Sequence, residues 1–325
     1  MYYSDIENLH VELTNRCNAG CPSCDRTGNF PGSVSETVFN SGIHDLSLSD
    51  MKNICEQLPK LKWIHMCGNL GDPAVSPEFK EIVHYLNSKN IYCTISTNGA
   101  PRKPEYWKEI ALKGVSVAFH IDGDEDTNHL YRIGTDYYKI IDNAKAFIKA
   151  GGYARWVFIP FKHNEHVIEK CKNLAKHLGF KEFNVKKSYR VSNLNSKAKI
   201  KIELPKNENL INFGATNNKG DKCISCKVSN NNEIYFSCNG EIYPCCWWAG
   251  YFWSKKFSNK ENKFSYLLDF ENNFKKRDIK DIVNDYIKKT DVYKLVWDLK
   301  KFSVCNKKCG NDKQKDRYVE SRRNL

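Results

Sequence analysis

The sequence predicts an α/β fold: an open (β/α)6 partial barrel followed by a smaller C-terminal α+β unit built on a β-hairpin. Three observations carry that expectation. The first half alternates short runs rich in β-branched and aromatic residues with segments whose apolar residues repeat every 3.6 positions. Six such alternations imply a parallel sheet with helices outside it. Further on, Asn239-Gly240 joins two β-rich runs between 233 and 246, a strong short-range hairpin signal, in a stretch dense in cysteine.

Each element has its own warrant. Candidate strands are Asn8 to Thr14, Lys62 to Cys67, Ile91 to Thr97, Val115 to Ile121, Ala154 to Phe161 and Glu182 to Lys187. Helical faces between them are drawn by Met51, Ile54, Cys55 and Leu58, by Phe79, Ile82, Val83 and Leu86, by Ile140, Ile141, Ala144 and Phe147, and by Val167, Cys171, Leu174, Ala175 and Leu178. Gly151 and Gly179 stand where helix C-caps belong. From Val191 to Lys222 the chain is rich in Lys, Asn and Ser without periodicity and reads as a connector. After the hairpin, Ile279, Ile282, Val283, Tyr286 and Ile287, then Leu295, Val296 and Leu299, outline helical faces that lead to Cys305 and Cys309. The expected organisation is a barrel over 1–190, a connector over 191–222, a second module over 223–310 and a charged tail over 311–325.

Composition narrows the function classes. Fourteen cysteines in 325 residues would suggest disulfides in a small secreted chain, but a core of this size needs no such staples. Met1 to His10 has neither a basic n-region nor an apolar stretch, and the aromatic run from Tyr243 to Trp253 contains Pro244 and is too short to span a bilayer. A reducing cytoplasm is the expected home, with no membrane partner. The formal charge of +13 is spread along the chain rather than gathered in one arm, so it reads mostly as solvated surface, with an acidic substrate as the second reading and nucleic acid as the last.

The chemistry concentrates in Cys17-Asn18-Ala19-Gly20-Cys21-Pro22-Ser23-Cys24, directly behind the first strand. A four-iron cluster is usually capped by four thiolates, so a dense triplet without a nearby fourth cysteine leaves one iron open. A ferredoxin would add a fourth cysteine, and a zinc ribbon would need a second Cys-x-x-Cys within about 15 to 20 residues. The Cys-x3-Cys-x2-Cys pattern in this context resembles the signature of the radical SAM superfamily. That resemblance implies a TIM-like partial barrel and S-adenosylmethionine (SAM) chelating the open iron of a [4Fe-4S] cluster. It also implies a reducing partner such as flavodoxin or ferredoxin. Chemistry in such barrels sits at the C-terminal ends of the strands, where the triplet falls.

Further segments at strand ends resemble family elements. Cys67 to Pro73 resembles the Gly-Gly-Glu-Pro element, which implies that Gly71 and Asp72 receive the methionine amino group. Thr97-Asn98-Gly99 resembles the element near the ribose. His120-Ile121-Asp122-Gly123 and the stretch His129 to Gly134 resemble a Ser-Leu-Asp-Gly element and its sequel, with Arg132 forking onto the SAM carboxylate. Singly these are turns and loops; their order along the chain carries the weight. Ser23 and His120 depart from the usual residues at their positions.

The second cysteine group resembles the Twitch domain, a shortened relative of SPASM that binds one auxiliary four-iron cluster. Cys305 and Cys309 form a close pair, and the fourth ligand comes from Cys226 or Cys223, with Cys226 nearer the hairpin. Adjacent strand residues point to opposite faces, and the Gly240-x4-Cys245 spacing favours Cys245, with Cys246 as the alternative. Four thiolates in a hairpin module also suit zinc. Cys67 and Cys93 lie on barrel strands, where a thiol either packs or donates a hydrogen atom to a substrate radical. The cluster of Trp247, Trp248, Tyr251, Phe252 and Trp253 reads as cover for the auxiliary site or as a substrate wall.

The expected activity is reductive cleavage of SAM to a 5′-deoxyadenosyl radical that abstracts hydrogen from substrate. A fully ligated auxiliary cluster favours oxidation or dehydrogenation over rearrangement. The first strand starts within about ten residues of Met1, too few for a folded leader-binding module, which favours a small metabolite, sugar, nucleotide or amino acid over a peptide. A different class of reading is a non-catalytic iron–sulfur or zinc protein, which would release no 5′-deoxyadenosine.

Overall fold

The computed structural model describes residues 2–27, 42–187, 201–211, 226–253 and 270–290, together with Cys305 and Cys309. Cys223, the faces drawn by Leu295, Val296 and Leu299, and the 311–325 tail lie outside the described residues, as does most of the 191–222 connector.

Six parallel strands form in the expected order: β1 (Asn8–Val11), β2 (Trp63–Met66), β3 (Tyr92–Thr97), β4 (Val115–His120), β5 (Tyr153–Phe158) and β6 (Glu182–Val185). Most are shorter than their apolar runs. Beyond Val11 the chain keeps only an isolated bridge, Thr14 to Asp45, and Pro160 has no N–H with which to extend β5.

The helices outside the sheet are α1 (Leu48–Gln57), α2 (Phe79–Ser88), α3 (Pro104–Glu109), α4 (Tyr137–Lys149) and α5 (Ile168–Leu178). Helix α1 starts with a capping box: the Ser47 side chain accepts from Asp50 N while the Asp50 carboxylate accepts from Ser47 N. Helix α5 ends at Gly179, whose φ of 86° suits a left-handed C-cap. Helix α3 goes beyond the sequence expectation; six residues are too few to show a period. Pro104 at its start and fully buried Trp107 hold it.

Strand alternation divides the barrel cleanly. Leu9, Val11, Ile64, Met66, Cys93, Ile95, Val117, Phe119, Trp156 and Phe158 pack outward into one helix-facing core. The opposite strand faces carry His10, Glu12, His65, Thr94, Ser116, His120 and Arg155, which makes the lumen polar.

The C-terminal module is not a detached unit. Strand β7 (Glu233–Phe236) pairs in parallel with β1, Asn8 opposite Glu233 and Val11 opposite Phe236, so the barrel sheet gains a seventh parallel strand. Strand β8 (Ile242–Tyr243) then pairs antiparallel with β7. The intervening turn is longer than a two-residue Asn-Gly hairpin: Ser237 N donates to Glu241 O at 2.9 Å, and Gly240 takes the positive φ of 96°.

Cys245 and Cys246 are therefore not strand residues. Pro244 ends the ladder, and Cys246 opens helix α6 (Cys246–Trp253). This corrects the strand-alternation argument for choosing between them. Helix α7 (Ile279–Thr290) docks on α1: Ile279 N donates to Gln57 Oε1 at 2.7 Å, and Lys275 pairs with Asp50 at 2.9 Å. Ile234, Phe236, Trp248, Phe274, Ile279 and Ile282 join the same core as the barrel strands.

Phe119 sits at the centre of that core, fully buried, with Trp107, Phe147 and Phe180 at centroid distances of 5.2, 6.1 and 6.1 Å. Phe119→Ala should cost about 3–5 kcal/mol in urea denaturation through its cavity. Tyr138→Ala, at a side chain 68% exposed, should stay within about 0.5 kcal/mol of the parent. Similar losses for the two would refute this placement of the core.

Candidate functional site

The three-cysteine loop leaves β1 at the C-terminal rim of the barrel. Gly20 N donates to Ile133 O at 2.8 Å and Cys24 N to Cys21 O at 3.1 Å, which ties the loop to the stretch containing Arg132. Cys17, Cys21 and Cys24 pack with Ala19, Tyr131, Ile159, Phe161 and Ile202 in a small apolar cluster. Burial, reinforced by the nearby Asp72 carboxylate and the other two thiols, pushes the Cys17 thiol up to about 12. A metal binding there would take the sulfur as thiolate and release its proton.

Two further groups reach the sulfurs. Asn98 Nδ2 lies 3.8 Å from Cys17 Sγ and donates to Asn18 Oδ1 at 2.9 Å. Arg132 Nη1 lies 3.7 Å from Cys21 Sγ while its Nε donates to Asp122 Oδ2 at 2.7 Å. Burial alone would lower the Arg132 pKa; the charges of Asp122 and Cys21 outweigh it and hold the guanidinium above its ordinary value. Asp122, fully buried, also accepts from Ile159 N at 2.7 Å, so it joins the ends of β4 and β5 beneath the arginine.

The loop after β2 is built on close backbone approach. A Cβ on Gly71 would lie 1.8 Å from Thr14 O, and one on Gly68 would lie 2.2 Å from Gly71 O. Asp72 follows, and its carboxylate is engaged within the protein: it accepts from Ala74 N at 3.0 Å, the Thr97 hydroxyl at 2.9 Å and Asn98 N at 2.7 Å. It clasps the β2 loop to the end of β3, and burial raises its pKa against those bonds. Gly71, Asp72, Thr97, Asn98, Asp122 and Arg132 are thus brought to one rim beside the cysteine triplet. His120 ends β4 on the lumen face, in register with Val157.

One residue of this site escaped the sequence reading. Glu12, fully buried, accepts from Leu70 N at 2.6 Å and Gly71 N at 3.1 Å through Oε1, and from the Tyr235 hydroxyl at 2.6 Å through Oε2. Burial pushes its carboxyl up to about 7, against those three bonds. The available signal was a carboxylate on the polar face of the alternating run Asn8 to Thr14.

The two strand thiols separate. Cys93 is fully buried on the helix-facing side, its thiol 3.7 Å from Ile91 O and pushed up to about 12 by burial. It has no line to a substrate in the lumen, which corrects its candidacy as a hydrogen-atom donor. Cys67 lies on the lumen side with His10 and His65.

The second cysteine group also converges. Burial, and then the nearby Cys246, Cys305 and Cys226 thiols, raise the Cys245 pKa well above its ordinary value. Cys305 is pushed up to about 12 by burial and by Cys309 and Cys226, against a side-chain hydrogen bond with Trp248. Cys245, Cys305 and Cys309 all border the main core. Cys246 packs instead with Tyr235, Tyr243 and Ala249, and its carbonyl accepts from Asn69 Nδ2 at 3.0 Å. The two adjacent cysteines do face different surroundings, because a helix starts between them. Trp248 is buried and Trp247 exposed; the side chains of Tyr251, Phe252 and Trp253 lie outside the described residues.

Comparison with known proteins agrees with this geometry. The tungsten-containing aldehyde ferredoxin oxidoreductase cofactor-modifying protein of Pyrococcus furiosus is 31% identical over 116 residues, 35% of this chain and 30% of that protein. The mycofactocin maturase MftC of Mycobacterium tuberculosis is 28% identical over 151 residues, 45% of this chain and 35% of that protein. The matches thus span about a third of the length of these curated relatives. Among solved structures, Streptococcus suis SuiB bound to S-adenosylmethionine superposes with a TM-score of 0.58 at 16% identity, covering 88% of this chain and 66% of that one. Native anSMEcpe with bound AdoMet gives 0.55 at 16%, covering 93% of this chain and 89% of that one. These likenesses show the shared fold. A profile described as the Radical SAM superfamily matches residues 11–176, which is 166 of the 325 residues and runs from β1 into α5. The chain belongs to the Radical SAM superfamily.

Proposed function

We propose that this protein is a radical SAM enzyme whose Cys17, Cys21 and Cys24 hold a SAM-binding cluster and whose Cys226, Cys245, Cys305 and Cys309 hold an auxiliary one. The observation that carries the reading is the convergence of the triplet with the Asp72–Thr97–Asn98 clasp and the Asp122–Arg132 pair at one barrel rim. The donor set fits the group: three thiols in an apolar pocket, flanked by a guanidinium that offsets thiolate charge. A reduced [4Fe-4S] cluster bearing SAM supplies the 5′-deoxyadenosyl radical that abstracts hydrogen from substrate.

The chain's own residues perform the remaining tasks. Arg132, held by Asp122, presents positive charge between Cys21 and the place of an anionic SAM carboxylate. Asp72 acts as a positioning residue as much as a ligand, since three protein donors already occupy its oxygens. Gly68 lets the loop fold closely on itself, and Gly71 lets it approach the chain at Thr14 and Arg16 behind β1. The apolar shell of Tyr131, Ile159, Phe161 and Ile202 flanks the three cysteines, with Cys21 buried and Cys17 and Cys24 partly exposed.

The substrate enters the polar lumen. The names of relatives divide between peptide maturation, as in MftC and in SuiB bound to precursor peptide SuiA, and cofactor chemistry, as in the Pyrococcus protein. The cofactor-modifying name favours the small-molecule substrate that the sequence suggests; the bound peptide favours the maturase alternative. Hydrogen abstraction tested with deuterated candidates of both classes, read as deuterium in 5′-deoxyadenosine, separates them. Among the described residues no helix is long and apolar enough to cross a membrane. Thiolate-held clusters suit a reducing compartment, with a flavodoxin or ferredoxin as electron donor.

Replacing Cys17, Cys21 and Cys24 together by Ala should halve the iron content of the reconstituted protein and abolish 5′-deoxyadenosine formation. Persistent SAM cleavage would refute the site.

Cys245→Ala should lose the auxiliary cluster by iron content and electron paramagnetic resonance, and Cys246→Ala should keep it. Equal loss in the two would remove Cys245 from the ligand set.

Glu12 yields a pH prediction. Its folded pKa of about 7 lies above its unfolded value near 4.5, so the folded chain binds the extra proton. The resulting stabilisation is present below about pH 4.5 and lost as pH rises through about 7, amounting to roughly 3 kcal/mol. Between about pH 5 and about pH 8 the parent should lose stability relative to Glu12→Gln in urea denaturation. A constant difference across that range would show that Glu12 is ionised throughout.

A further inference from the structure

The lumen holds a second set of metal-competent side chains that the radical chemistry does not use. One ligand atom each from His10, His65 and Cys67 lies within 4.8 Å of the other two, a grouping drawn from two neighbouring strands. His10 and His65 are opposite one another in the β1–β2 register, with ring centroids 5.1 Å apart, and Cys67 follows β2 two residues on, on the same strand face. Around tetrahedral zinc, bonds of about 2.0–2.1 Å to nitrogen and about 2.3 Å to sulfur put ligand atoms some 3.5 Å apart. Rotamer-scale movement closes that difference.

Both imidazoles are already oriented. A ring nitrogen of His10, Nε2, donates to Cys67 O at 2.6 Å, and Nδ1 of His65 lies 2.8 Å from the Thr94 hydroxyl. Metal-ligating histidines are characteristically held this way, with one ring nitrogen on an oxygen and the other on the metal. The Tyr235 ring meets His10 edge-on at 5.0 Å, and Trp63 stacks on His65 at 5.7 Å, so an aromatic neighbour flanks each imidazole. Two imidazoles and a thiolate form a borderline-soft donor set suited to zinc(II).

We propose that His10, His65 and Cys67 bind one zinc ion in the barrel lumen, with its fourth position open to a substrate heteroatom. Three protein ligands and one open position is the arrangement of zinc sites that engage substrate rather than merely brace a fold. Binding releases the Cys67 thiol proton to solvent, and a zinc-bound thiolate carries no S–H. The inference therefore replaces hydrogen-atom donation as the role of Cys67. It does not rest on the radical reading, because zinc uptake is measured without SAM or turnover.

The test uses the full chain with its iron–sulfur clusters loaded, titrated anaerobically with zinc against a chromophoric chelator. The expected result is one zinc per chain at unchanged iron content, with a zinc-edge X-ray absorption spectrum showing one sulfur and two imidazoles. His65→Gln and Cys67→Ser, two separate variants in case one folds poorly, should each weaken zinc binding by about tenfold or more without loss of iron. Cys67→Ser should also remove sulfur from the zinc spectrum. No zinc uptake by the parent, equal affinity in parent and variants, or a spectrum of sulfur ligands alone would each overturn the proposal.

Discussion

A single buried carboxylate, Glu12, organises the part of the molecule on which the site depends. It stands at the end of β1 and holds donors from two directions at once, the Leu70 and Gly71 amides of the β2 loop and the Tyr235 hydroxyl of β7. Taking a carboxyl group out of water is costly unless its oxygens are satisfied, and three donors meet that requirement here. The same contacts fix the loop that carries Asp72 and stitch the C-terminal hairpin to the barrel.

That stitch joins the two halves of the chain into one sheet and one core. Because β7 pairs beside β1, the strands that lead to the second cysteine group adjoin the strand that launches the first. Asn69 of the β2 loop reaches the Cys246 carbonyl, so the loop at the SAM rim touches the start of the helix behind Cys245. The two cysteine groups thereby share a continuous β-sheet as their frame rather than a linker.

At the rim, charge is arranged in layers. Asp122 neutralises Arg132 from below, and Arg132 faces a cysteine sulfur. Removing the carboxylate would strand a buried cation, a loss on the order of 3–5 kcal/mol. The pair is therefore coupled to the stability of the rim.

Local sequence was sufficient for much of this. The cysteine triplet, the six strands, four of the barrel helices and the order of the rim motifs were legible because periodicity and ligand spacing are properties of short segments. Helix α3 is too short to register, and the alternation argument for Cys245 over Cys246 needs a strand that Pro244 ends. The rest depended on contacts between distant segments. The engagement of Asp72 by Thr97 and Asn98, the exclusion of Cys93 from the lumen, the pairing of β7 with β1, the role of Glu12 and the meeting of His10, His65 and Cys67 all depend on which strands become neighbours and which face each side chain takes. The sequence by itself determined the two cysteine groups and most of the elements around them. Only the tertiary structure decided their company, because strand pairing and burial are set by the summed packing of the whole chain rather than by any segment of it.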